Sequence, residues 1–189
     1  PVNLYGYNVF GFQDGLFGNN LNLELYWEDN QDKLDRLIFS LDQADAIFIS
    51  SSRQWGSISR VPERYPLTTE YYRALLGCPQ DETVVWCYSV AEPGMFKGEL
   101  GFELAATFQH DPQIGNLSVN DQFSEEAFTV YDHPKVFIFR KSADYDPQQV
   151  RSLLGAVDLG EVVHMTPKQA GEINGNLMLS ATEKERQTS

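Results

Sequence analysis

Residues Leu21-Asn22-Leu23-Glu24-Leu25-Tyr26-Trp27, then Gln31 to Gln43, then Ala46-Ile47-Phe48-Ile49 carry the reading of the fold. In the first stretch Leu21, Leu23, Leu25 and Trp27 alternate with Asn22, Glu24 and Tyr26, the period of a half-buried strand. Glu28-Asp29-Asn30 supplies turn and N-cap chemistry. Leu34, Leu37, Ile38 and Leu41 then recur at helical spacing and predict a helix from Gln31 to Gln43 with one buried face. Ala46 to Ile49 is short, apolar and rich in strand formers, as a buried strand is. Strand, helix and buried strand in that order form a crossover unit with a parallel pair. The expected class is therefore α/β: a mixed, mostly parallel sheet flanked by helices, Rossmann-like in two or three layers.

Outward from that unit, residues 1–20 are rich in Gly, Asn and aromatics without steady periodicity, and read as an irregular entry segment. One domain is expected over residues 21–180, with a frayed tail over 181–189. A helix is expected from Thr68 to Leu76, stopped by Gly77. Residues 78–99, with Pro79, Pro93, Gly94 and Gly98 around Val84-Val85-Trp86, read as a loop insertion with a short strand or hairpin arm. Strands are expected over Leu100–Phe108, Thr129–Val130 and Lys135–Arg140, with Asp132-His133-Pro134 as a turn. Asp146-Pro147-Gln148-Gln149 is a helix start, with Asp as N-cap and Pro at the first helical position. Thr166-Pro167-Lys168-Gln169 repeats the pattern for a last short helix.

A hydrophobic share of 42% is enough for a buried core in a chain of 189 residues. The 14 Lys and Arg against 27 Asp and Glu leave a net charge of -13, which repels nucleic acid and anionic membrane surfaces. No apolar run is long enough to cross a bilayer. Cys78 and Cys87 lack the spacing of a zinc or redox pair. They read either as a disulfide-closed loop outside the cytoplasm or as two reduced, packed thiols inside it.

Chemistry concentrates in one place. Arg53, Arg60, Arg64 and Arg73 fall in a segment whose only acids are Glu63 and Glu70, just after Ser50-Ser51-Ser52 at the carboxyl end of a predicted strand. Ligands of open α/β sheets bind at that edge, and hydroxyls with guanidinium forks suit phosphate or carboxylate. Tyr65, Tyr71 and Tyr72 could add an aromatic platform for a sugar. The candidate ligand-binding residues are therefore Ser51, Ser52, Arg53, Arg60, Arg64, Tyr65 and Tyr72. The competing reading has these arginines pairing with surface carboxylates and the tyrosines packing in the core. Asp132-His133 and His110-Asp111 are the acid–base neighbour pairs, each beside a proline and so in a turn. Glu125-Glu126 suits a solvated helix start better than a paired-carboxylate site. The three histidines lack metal-ligand spacing, and no cofactor motif is present.

Three stretches together resemble a known group of proteins. They are Phe48 to Arg53 running on to Arg60-Val61-Pro62-Glu63-Arg64-Tyr65-Pro66-Leu67-Thr68-Thr69-Glu70-Tyr71-Tyr72; Leu100-Gly101-Phe102-Glu103-Leu104; and Glu125-Glu126-Ala127-Phe128-Thr129-Val130-Tyr131-Asp132-His133-Pro134-Lys135-Val136. They resemble the soluble extracytoplasmic region of multi-spanning membrane proteins of green non-sulfur bacteria and archaea. Those proteins are similar to family 39, dolichyl-phosphate-mannose-type glycosyltransferases. The likeness covers roughly residues 22–142. It implies a domain on the extracytoplasmic face of the membrane, whose partner is the transmembrane part of its own chain. Lipid-phosphate-linked sugar transfer would belong to the parent, with its catalytic acid in a loop near the spans. These residues would then be an accessory, non-catalytic part binding an acceptor glycan or a polyprenyl-phosphate sugar. An interaction module without ligand and a soluble hydrolase are the alternatives.

Overall fold

The computed structural model describes residues 2–3, 21–22, 25–115, 117–118 and 134–164. Helix α1 (Gln31–Gln43) and strand β3 (Ala46–Ile49) have the bounds that periodicity predicts. The Asn30 side chain caps α1 by accepting from the Lys33 amide, and Leu34, Leu37, Ile38 and Leu41 form its buried stripe.

The sheet departs from the expectation. Its order is β2 (Leu21–Asn22), β1 (Val2–Asn3), β3, β7 (Val136–Lys141), β4 (Phe102–Phe108). Parallel pairing is confined to the two-residue strands, β1 with β2 and β1 with β3. The longer strands β3, β7 and β4 pair antiparallel throughout, with a bulge in β4 between Leu104 and Ala106. The expected mostly parallel, Rossmann-like sheet is thus wrong.

The physical reason lies in β3. Its apolar run reads as buried on both faces, yet only Ile47 and Ile49 point into the core, while Phe48 remains 39% exposed. That is one-sided burial, the habit of antiparallel sheets. The central neighbour β7 alternates in the same way, with Phe137 and Phe139 buried and Ile138 on the other side.

All five described helices pack on the side of Ile47, Ile49, Phe137 and Phe139, and their buried side chains join one cluster. Trp55 of α2 (Arg53–Ile58) stacks on Tyr88, and Tyr88 meets Tyr72 and Phe137 edge-on. Each such pair adds about 0.5–1.5 kcal/mol beyond its buried area. Helix α3 (Pro66–Leu76) starts at its proline and ends at Gly77, which takes φ 84°. A Cβ at Gly77 would also run into the Lys97 carbonyl, so conformation and space both require glycine there.

Residues 84–90 form helix α4 (Val84–Val90), not the expected loop with a strand. Val-Val-Trp favours a strand locally, but the Thr83 side chain caps the Trp86 amide, and Cys87 and Tyr88 are fixed in the core. Cys78 and Cys87 are joined as a disulfide, with Cα atoms 5.8 Å apart, tying the end of α3 to α4. Helix α5 (Pro147–Gly155) begins as read, with the Asp146 carboxylate accepting from the Gln148 amide. A two-stranded hairpin of β5 (Gln113–Ile114) and β6 (Leu117–Ser118) completes the described elements. The expected strand at 129–130 and last helix at 166 lie outside the described residues.

Candidate functional site: an arginine and aromatic face

The segment after β3 turns at once into α2, with Ser52 at its N-cap and the Ser51 hydroxyl accepting from the Arg53 amide. Ser52 is buried, and the Ser51 hydroxyl is engaged by the backbone of this turn. Arg53, Arg60 and Arg64 are all exposed.

What draws these residues together is a stretch the sequence reading did not select. Residues 25–27 leave the sheet as a turn, and both Tyr26 and Trp27 face solvent instead of alternating across a strand. The Tyr26 hydroxyl donates to the Arg53 carbonyl at 2.9 Å, and the Tyr65 hydroxyl reaches the Tyr26 carbonyl at 3.4 Å. The Arg64 guanidinium lies 5.5 Å from the Tyr65 ring centroid, and that of Arg36, on α1, lies 5.9 Å from Trp27. The Arg36–Trp27 and Arg64–Tyr65 pairs are thus tied together through Tyr26, which Arg53 joins through its backbone carbonyl. The signal that could have found Tyr26, Trp27 and Arg36 was weak: an aromatic pair at the end of an alternation, and an arginine on the polar side of α1.

A buried ionic knot beneath this face holds its two halves. The Lys33 ammonium donates to the carbonyls of Leu25 and Trp27 and to Asp29, each at 2.7 Å. Asp29 accepts from the Thr68 amide at 2.9 Å and from its hydroxyl at 2.7 Å. Thr68 lies in the first turn of α3, where Tyr65 makes no side-chain cap. Asp29 therefore caps α3 from a distant turn, a favourable place for a carboxylate. Burial lowers the Lys33 amine from its usual value, while Asp29 opposes that shift.

The remaining predicted residues separate from this surface. Tyr72, at 1% exposure, packs tilted against Tyr71 and edge-on to Tyr88, whose hydroxyl donates to the Tyr72 carbonyl. It presents no face to a ligand, so the binding role expected of it is replaced by core packing. Arg73 reaches the carbonyls of Cys78, Pro79 and Glu82, and so braces the disulfide loop. His110 is exposed, and the neighbouring Asp111 accepts from the Gln109 amide group. Asp132, His133, Glu125 and Glu126 lie outside the described residues.

Away from this surface, an open cleft of about 480 Å³ lies between β4 and the start of α5. Its lining includes Phe96, Leu104, Gln149, the cation Lys97, and the carboxylates Glu99, Glu103, Asp144 and Asp146. All four acids are exposed, and Asp146 is committed to capping α5. A general acid needs a carboxyl held protonated by its surroundings. Burial pushes the carboxyl of Glu70, on α3 and outside the cleft lining, up from its usual value. No group of three or more His, Cys, Asp or Glu among the described residues is placed to hold a metal ion.

Compared with known proteins, the chain matches no family model, no curated protein and no solved structure.

Proposed function

We propose that this chain is an accessory extracytoplasmic domain of a glycosyltransferase-like integral membrane protein, and that its arginine and aromatic face holds the phosphate of a lipid-linked sugar head group. The observation that carries the reading is the set of exposed Arg53, Arg64 and Tyr26 linked through half-buried Tyr65, in a chain of net charge -13. A guanidinium stacked on a tyrosine ring is pre-oriented for the planar, two-pronged grip that phosphate accepts. Charge decides between this exposed face and the cleft. Each carboxylate on the cleft rim would repel a phosphate charge 4 Å away by about 1 kcal/mol in water-like surroundings, and four of them face one lysine. The Cys78–Cys87 disulfide supports the compartment, because such bonds persist where the surroundings are oxidising. The resemblance of residues 48–72, 100–104 and 125–136 supports the parent.

Calorimetric titration with a water-soluble, short-chain isoprenoid monophosphate tests the reading. Wild type should bind, and Arg53→Gln combined with Arg64→Gln should weaken binding about tenfold or more, the scale of lost charged hydrogen bonds. Equal affinity in the double variant, or no binding by wild type, would overturn it.

A further inference from the structure

We draw no further inference here: the strongest candidate, the open cleft between β4 and the start of α5, owes its character to the exposed carboxylates Glu99, Glu103, Asp144 and Asp146 on its rim, and nothing in the structure shows what occupies it.

Discussion

Asp29, read from sequence only as part of a turn before α1, is a buried carboxylate that holds Lys33 of α1 and caps α3 through Thr68. Removing one member of a buried ion pair leaves the other charge unpaired and costs about 3–5 kcal/mol. Asp29→Ala should therefore lower unfolding stability on that scale in a urea titration, and Asp29→Asn should fall between it and wild type, since it keeps an acceptor for Thr68. A loss under about 1 kcal/mol in Asp29→Ala would contradict the knot as the anchor of this region. Two other lysines act in the same way. Lys135 donates to the Ser89 carbonyl near the end of α4 and lies 3.6 Å from Glu92, and Lys141 donates to the Asp42 carbonyl at the end of α1. Burial lowers both amines from their usual value. At this scale local signals were legible and distant ones were not. Asp146 announced itself by the proline after it, whereas Asp29 and Thr68 are 39 positions apart, and no short-range rule connects them.

Elements with a strong period or a clear stop were readable: α1 by its apolar stripe, α3 by Gly77, and α5 by its cap. Helix α4 was not, because its β-branched start mimics a strand and its identity is imposed by what it packs against. The disulfide contributes to that imposition by closing a short loop between α3 and α4. By the chain-entropy account a loop this short is worth about 2–3 kcal/mol. Cys78→Ser with Cys87→Ser should lose stability of that size in chemical denaturation, with Arg73 still bracing the loop. An unchanged midpoint would mean that Arg73 and the aromatic cluster hold α4 without the covalent link.

Across the whole molecule, strand order and direction were the part that sequence could not supply. The run Ala46–Ile49 looks alike whether one face or both are buried, and β7 enters the middle of the sheet from far along the chain. The candidate site was half legible. The arginine-rich segment was visible as a local excess of cations, but the turn at Tyr26–Trp27 reaches it only through the fold, and Tyr72, chosen for its residue type, belongs to the core. On the proposed function this face, and not the acidic cleft, receives the phosphate. Backbone amide shifts of the isotope-labelled chain, followed while a short-chain isoprenoid monophosphate is added, report on both places at once. Shifts concentrated at Tyr26, Trp27, Arg36, Arg53 and 60–65 are expected, with the cleft residues at 96–104 and 142–149 unmoved. Shifts centred on the cleft, or none on the arginine face at saturation, would contradict the proposed function.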